Sequence, residues 1–182
     1  PVGEQPADPG EAIDACIRSL LREKRNIVLI GMPSSGKTTI GKLLAASLGR
    51  ELTDTDDTII ERIGIPISDY FGRYGESAFR DVESEVCAEL CDSQNSVIAT
   101  GGGVVIREEN IRRLAHNGLV IWIDREPELL EATDSRPLSR DRGAIRELYR
   151  KRCGLYEKYS DIRIANNGTP QEAVCGILAK IG

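Results

Sequence analysis

A glycine-rich segment near one end of the chain has the spacing of a phosphate-binding loop. Residues 31–38 read Gly-Met-Pro-Ser-Ser-Gly-Lys-Thr, which matches the pattern G-x-x-x-x-G-K-[ST]. In this pattern the glycines let consecutive backbone N–H groups converge on an anion, while Lys37 reaches the β- and γ-phosphates and Thr38 offers a hydroxyl to Mg²⁺. The spacing therefore predicts a site for the triphosphate of a nucleotide.

The segments on either side of this loop agree with that prediction. Apolar residues at 27–30 predict a buried strand, and residues 39–45 have helical periodicity. A phosphate-binding loop lies between a strand and the positive end of a helix, whereas an ordinary glycine-rich turn, which is the alternative, requires neither. The order of strand, loop and helix favours the phosphate-binding loop.

Acidic residues follow the next predicted strand. A strand at 51–54 comes after the helix, and strand, helix and strand in close succession imply a parallel sheet. Asp54 and Asp56 then stand at the carboxyl end of that strand, where open α/β sheets bind their ligands. One carboxylate can hold Mg²⁺ through water, and the other can accept a proton from a substrate hydroxyl. The alternative is that residues 54–57 only cap a helix that starts at Thr58.

Two arginines and a triple glycine are further candidates for a binding site. Arg80 and Arg152 carry planar guanidinium groups that fit a carboxylate, although a solvated surface charge is the commoner case for any single arginine. A predicted strand at 97–100 runs directly into three glycines at 101–103. Because consecutive glycines cost backbone entropy, we expect this main chain to approach another group closely.

The remaining segments continue an alternating α/β pattern. Further helices are predicted at 58–63, 67–74, 76–91, 108–115, 144–158 and 170–181, and further strands at 119–123 and 162–165. The polar segment 134–143 carries three arginines and is predicted to be a mobile lid. We expect residues 1–25 to be a flexible lead-in followed by an N-terminal helix, and residues 26–182 to form one domain.

The composition limits the class of protein. With 182 residues, of which 40% are hydrophobic, the chain can bury one good core. A net charge of -5 argues against nucleic acid as a partner, and no apolar run approaches the roughly 18 residues that span a membrane. The sequence has five cysteines and no C-x-x-C motif. Two of them, Cys87 and Cys91, are four residues apart, and we interpret them as small buried hydrophobes and not as a pair of metal ligands. We expect a cytoplasmic monomer without a membrane partner.

Six motifs, taken in order, resemble one known family. They are residues 31–41, Asp54-Thr55-Asp56, Gly75-Glu76 with Phe79-Arg80, residues 101–105, Arg136-Pro137-Leu138 and residues 152–156. Over about residues 26–182 the chain resembles the shikimate kinases. The likeness implies a three-layer α/β/α sandwich with a five-stranded parallel sheet, the P-loop fold of the nucleoside-monophosphate kinases. It also implies transfer of the γ-phosphoryl group of ATP to the 3-hydroxyl of shikimate, a step toward chorismate and the aromatic amino acids.

The resemblance also assigns roles to residues that match the family's motifs. Asp56 resembles the carboxylate that holds the shikimate hydroxyls and acts as the base. Arg80 and Arg152 match the arginines on the shikimate carboxylate, and Gly102 matches a backbone contact. The resemblance implies the catalytic residues Asp56, Lys37 and Arg136. It implies ATP phosphate contacts from Ser34, Ser35, Gly36, Lys37, Thr38, Thr39 and the lid residue Arg136, with Thr38 and Asp54 serving Mg²⁺.

The chain departs from the family pattern in two places. The lid from Arg136 to Arg152 is a few residues shorter than usual, and residues 166–169 lack the basic residue that the family often supplies to the nucleotide. We therefore expect adenine to be held by stacking and main-chain contacts. The alternatives are a small-molecule kinase of the gluconate type, and a non-catalytic ATP-binding module of a longer fused polypeptide.

Overall fold

A computed structural model of the chain describes residues 25–130 and 141–181. The predicted lead-in and N-terminal helix up to residue 24, Arg136 and most of the predicted lid lie outside these ranges. What the sequence predicts for them stays a prediction.

Five parallel strands form a single sheet in the described part of the chain. They are β1 (Asn26–Ile30), β2 (Glu51–Asp54), β3 (Ser96–Ala99), β4 (Gly118–Asp124) and β5 (Ile162–Ala165), in the spatial order β2-β3-β1-β4-β5. The central strand β1 pairs on both sides, so that Val28 lies between Ile98 and Val120. Because all five strands run in the same direction, their carboxyl ends meet at one edge of the sheet.

Helices cover both faces of this sheet. The described α-helices are α1 (Lys37–Leu48), α2 (Thr55–Ile63), α3 (Ile67–Leu90), α4 (Glu108–His116), α5 (Arg142–Tyr159) and α6 (Pro170–Ile181), with 3₁₀ turns at Val104–Ile106 and Pro127–Leu129. Apolar side chains of α3, α4 and α5 pack on one face, and those of α1 and α6 pack on the other. Strand β1 is therefore buried on both sides, which is why its sequence is a continuous apolar run. The predicted three-layer fold is confirmed.

The predicted break between the helices at 67–74 and 76–91 is confirmed. Gly75 has a non-helical φ of 81° and ψ of 173°, so α3 consists of two helical segments that meet at a kink there. Helix α5 differs from its prediction at 144–158, because it begins at Arg142, inside the range predicted for the lid, where the Asp141 side chain caps it. This difference lies at a helix end, where periodicity carries the least information.

The described helices include none that is both long and apolar enough to cross a membrane.

Four cysteines in the described ranges are free, and they are Cys87, Cys91, Cys153 and Cys175. Burial raises the pKa of the Cys87 thiol to about 12, so this group stays protonated in the core and behaves as a small hydrophobe.

Candidate active site

The loop between β1 and α1 turns sharply at the carboxyl edge of the sheet. Ser34 and Gly36 have positive φ angles of 61° and 92°, which turn successive peptide groups of the loop. A Cβ atom at Gly36 would lie 2.7 Å from Nδ2 of Asn166, and that amide donates a hydrogen bond to the Ser35 carbonyl oxygen at 2.8 Å. The loop is therefore supported from behind by the segment after β5, and its bend requires glycine at position 36.

Lys37 lies inside this loop and fixes its shape. Its Nζ donates hydrogen bonds to the carbonyl oxygens of Met32 at 2.7 Å and Gly31 at 3.0 Å, and only 7% of the residue is exposed. Lys37 also lines the cavity in front of the loop. An anion bound in that cavity would meet a positive charge held in a fixed position.

Asp54 connects the phosphate-binding loop to helix α2. Its Oδ2 accepts a hydrogen bond from Oγ1 of Thr38 at 2.6 Å, and its Oδ1 accepts one from the N–H of Asp56 at 3.0 Å. The second hydrogen bond caps α2, which begins at Thr55 and not at the predicted Thr58. The cap interpretation of Asp54 is thus confirmed, and the same carboxylate also orients a hydroxyl of the loop.

Two cavities open at this edge of the sheet and share a wall. One of about 280 Å³ lies in front of the loop, and one of about 400 Å³ lies between α2, α3 and the triple glycine. Thr38, Asp54 and Asp56 line both cavities. The first cavity is also lined by Ser34, Gly36, Lys37, Thr39 and Thr100. The second cavity is also lined by Arg80, Glu83 and Arg152 and by the three glycines Gly101, Gly102 and Gly103. Ser35, predicted to hold phosphate, lines neither cavity.

Arg80 and Glu83 form a buried ion pair in the wall of the second cavity. They are 6% and 1% exposed, and Nη1 of Arg80 donates to Oε2 of Glu83 at 2.8 Å. Nη2 of Arg80 donates to Oε1 of Glu76 at 3.1 Å. Burial raises the pKa of the Glu83 carboxyl, and the charge of Arg80 opposes that rise. A side chain at Gly103 would collide with this guanidinium group, so the arginine is held in place from both sides.

Arg152 reaches the same cavity from helix α5. It is 5% exposed, and its Nη1 donates a hydrogen bond to the carbonyl oxygen of Gly102 at 3.1 Å. Its charge also opposes the rise in the pKa of Glu83. Neither Arg80 nor Arg152 is therefore a solvated surface charge. Two buried guanidinium groups that line one cavity are suited to bind a carboxylate.

Contacts between elements join the walls of the second cavity. Arg107, after the triple glycine, donates hydrogen bonds to the carbonyl oxygen of Arg80 at 2.9 Å and to Oδ1 of Asp81 at 2.7 Å. The N–H of Gly101 donates to Oγ1 of Thr55 at 2.9 Å. The triple glycine is thereby tied to α3 on one side and to α2 on the other.

Three residues that line or support this site were missed by the sequence analysis. They are Glu83, Arg107 and Tyr156, whose hydroxyl donates a hydrogen bond to the carbonyl oxygen of Gly102. Glu83 follows Arg80 by three residues on the same face of α3, and Tyr156 follows Arg152 by four residues on the same face of α5. These spacings are signals that could have found both residues. Arg107 carried no local signal, because its contact with Arg80 joins residues 27 positions apart.

Comparison with known proteins agrees with this geometry. The sequence profile described as shikimate kinase matches residues 33–181. The chain belongs to the shikimate kinase family. Shikimate kinases catalyse the ATP-dependent phosphorylation of shikimate in the pathway to the aromatic amino acids, and the predicted family, fold and enzyme class are confirmed. The roles of individual site residues stay predictions.

Individual shikimate kinases align over most of their length. The enzyme of Thermodesulfovibrio yellowstonii is 42% identical over 156 residues, which cover 81% of this chain and 90% of that protein. The enzyme of Persephonella marina is 42% identical over 163 residues, which cover 86% of this chain and 99% of that protein. The solved structure of shikimate kinase from Acinetobacter baumannii in complex with shikimate superposes with a TM-score of 0.84 at 33% identity, and covers 90% of this chain and 96% of that one.

Proposed function

We propose that this chain transfers the γ-phosphoryl group of ATP to the 3-hydroxyl of shikimate across the wall that the two cavities share. The observation that carries the proposal is that Thr38, Asp54 and Asp56 line both cavities. The terminal phosphate of a triphosphate bound to the loop would lie at the shared wall. An acceptor hydroxyl in the second cavity would lie at the same wall. Phosphoryl transfer needs this adjacency because the attacking oxygen must lie in line with the leaving oxygen.

The second cavity suits an anionic polyol. The guanidinium groups of Arg80 and Arg152 supply donors for a carboxylate, and the Gly102 backbone contacts Arg152 and lies against the loop residue Pro33. Asp56 supplies a carboxylate to the hydroxyls of the acceptor. The combination favours a small acid that carries several hydroxyl groups, which is the chemistry of shikimate.

The chemical step then requires one proton acceptor and several positive groups. Asp56 takes the proton of the 3-hydroxyl while the oxygen of that hydroxyl bonds to the γ-phosphorus of ATP. The bond between the γ-phosphorus and the oxygen that bridges it to the β-phosphorus breaks, which releases ADP. Lys37 and the N–H groups of the loop stabilise the charge on the phosphoryl oxygens. Arg136, assigned by resemblance to reach over the ATP phosphates, lies outside the described residues and stays a prediction.

The oxygen donors at the shared wall fit Mg²⁺. The hydroxyl of Thr38 and the carboxylate of Asp54 are hard ligands that lie within hydrogen-bond distance of each other. Within residues 25–130 and 141–181 no cluster of three or more Asp, Glu, His or Cys side chains could hold an ion alone, so the metal would be bound together with the triphosphate. Thr38 would hold it directly and Asp54 through water. When bound, Mg²⁺ neutralises charge on the β- and γ-phosphate oxygens.

The Asp54→Asn variant tests this metal site. Asparagine is as good a helix cap as aspartate, so α2 should stay capped while the charge at the metal is lost. We expect the Mg²⁺ concentration for half-maximal activity to rise by about 10- to 100-fold. The exposed Glu51→Gln variant removes the same charge at the start of the same strand and should behave as wild type. An unchanged Mg²⁺ requirement for Asp54→Asn would exclude Asp54 from the site.

The choice of acceptor is tested by measuring phosphoryl transfer to shikimate, gluconate and quinate under the same conditions. We expect ADP release to depend on shikimate and not on open-chain gluconate, since a rigid ring holds its carboxylate at the arginines and a hydroxyl at Asp56 at a fixed separation. Equal or faster transfer to gluconate would overturn the proposal. Binding of ATP without turnover of any of the three would instead indicate a non-catalytic ATP-binding module.

A further inference from the structure

The carbonyl oxygen of Gly102 is held by two side chains of helix α5. The hydroxyl of Tyr156 donates to it at 2.5 Å, and Nη1 of Arg152 donates to it at 3.1 Å. The two donors are four residues apart and therefore project from the same face of the helix. Because Gly102 lines the second cavity, these hydrogen bonds act directly on the wall that an acceptor would touch.

We propose that Tyr156 is a positioning residue of the acceptor site, whose hydroxyl holds the peptide group after Gly102 so that the triple glycine meets the shikimate carboxylate in one fixed conformation. The inference rests on the proposed function, because it assigns Tyr156 to the binding of shikimate and not of ATP. Tyr156 acts through Gly102 and does not itself line the cavity.

The triple glycine needs such an external support because it cannot be stiffened by side chains of its own. A Cβ atom at Gly102 would lie 2.6 Å from Cδ of Pro33, and one at Gly101 would lie 2.7 Å from Oδ1 of Asp56. A side chain at Gly102 would collide with the ring and backbone of Pro33, and one at Gly101 would displace the Asp56 carboxylate. Glycine at both positions has the largest backbone freedom of any residue. The order of this wall must come from hydrogen bonds made by neighbouring elements.

Tyr156 is well placed to provide that order. The residue is 0% exposed, and its ring stacks on Trp122 with the centroids 5.9 Å apart and the planes inclined by 28°. Its hydroxyl also lies 3.9 Å from Sδ of Met32, a residue of the phosphate-binding loop. Burial raises the pKa of Tyr156 to about 12, so the hydroxyl keeps its proton and remains a donor.

The two donors on Gly102 have different tasks. Arg152 gives only Nη1 to Gly102, so its other N–H groups can bind the substrate carboxylate in the second cavity. Tyr156 has a single O–H, which it gives to the Gly102 carbonyl oxygen and not to the substrate. Without Tyr156 the buried carbonyl would depend on Arg152 alone and would compete with the substrate for its N–H groups.

The Tyr156→Phe variant removes the hydroxyl and keeps the buried ring. We expect the Kd of shikimate, measured by titration calorimetry without ATP, to rise about 3- to 10-fold, which is the effect of one lost hydrogen bond. The KM for shikimate should rise by the same factor, while kcat and the KM for ATP stay within about twofold. In the control Tyr159→Phe, a hydroxyl on the same helix that donates to Glu108 is removed, and the Kd of shikimate should not change.

A second measurement needs no variant. In the wild-type chain the ¹³C resonance of the Gly102 carbonyl should keep its hydrogen-bonded shift when shikimate is added, because Tyr156 does not release it. An upfield shift on binding would contradict the inference, as would an unchanged Kd of shikimate in Tyr156→Phe. Equal losses of shikimate and ATP affinity would also contradict it and make Tyr156 a residue of the general fold. A wild-type chain that does not phosphorylate shikimate would instead overturn the proposed function.

Discussion

Replacing Asp56 with asparagine should lower kcat by about 10² to 10⁴-fold and leave the affinity for ATP unchanged. Asp56 lies in the first turn of α2 and lines both cavities, and its Oδ1 would be 2.7 Å from a Cβ atom at Gly101. Asparagine keeps the shape of the side chain and the backbone bond to Asp54, but it cannot accept the proton of the attacking hydroxyl. Turnover at saturating substrates measures kcat, and calorimetry with a non-hydrolysable ATP analogue measures affinity.

The matched control for this variant is Glu61→Gln. Glu61 lies on the same helix and is exposed, so its replacement removes one negative charge without touching either cavity. Its kcat should stay within about twofold of wild type. Wild-type turnover by Asp56→Asn would show that another group receives the proton, and weakened ATP binding would show that Asp56 acts on the loop.

The Arg152→Ala variant should lose about 10- to 150-fold in kcat/KM for shikimate, since a hydrogen bond to a charged group contributes about 1.5 to 3 kcal/mol. Arg152 is buried in the wall of the second cavity and would donate to the carboxylate of the acceptor. Arg80→Ala should cause a similar loss of affinity, but it would also leave the buried carboxylate of Glu83 without its closest cation and lower the stability of the fold. Arg152 is therefore the cleaner test.

The methyl ester of shikimate shows whether the carboxylate is what Arg152 binds. The ester has no negative charge, so Arg152→Ala should cost much less with the ester than with shikimate itself. Arg112 is exposed on α4, and Arg112→Ala removes the same charge and should change neither reaction. An effect of Arg152→Ala that is equally large for both acceptors would contradict the carboxylate site.

The sequence was most informative where one physical requirement determined a whole segment. Strand β1 is an unbroken apolar run because helices cover both faces of the sheet, and the loop after it needs Gly36 for its bend. These requirements act within a few residues, so the strand and loop could be predicted from the residues themselves. The five strands were likewise predicted from the residues, whereas the three-layer arrangement came from the resemblance to a family, because periodicity does not determine how the elements pack together.

Asp54 shows why local reasoning left two interpretations open. The sequence allowed it to be a helix cap or a ligand at the end of a strand, and in the structure its two oxygens take separate partners. One oxygen bonds to the next turn of the chain, whereas the other bonds to Thr38, 16 residues earlier. Only the first partner can be inferred from neighbouring residues.

The residues that were missed depend on contacts between distant elements. Glu83 was not singled out by the sequence analysis, and it is the packing of α3 that buries it beside Arg80. The hydroxyl of Tyr156 reaches Gly102, 54 positions away in the chain, and Arg107 likewise joins two elements. Burial and partner choice of this kind are set by tertiary packing, which propensity and spacing do not report.

The position of the phosphate on the product tests the central claim most directly. Shikimate and ATP are incubated with the enzyme, and the product is identified by ³¹P and ¹H NMR. If Asp56 activates an acceptor hydroxyl opposite the phosphate-binding loop, the product should be a single monoester at the 3-hydroxyl, formed with one ADP for each phosphate transferred. A phosphate on another hydroxyl, or ADP release that does not depend on shikimate, would contradict it.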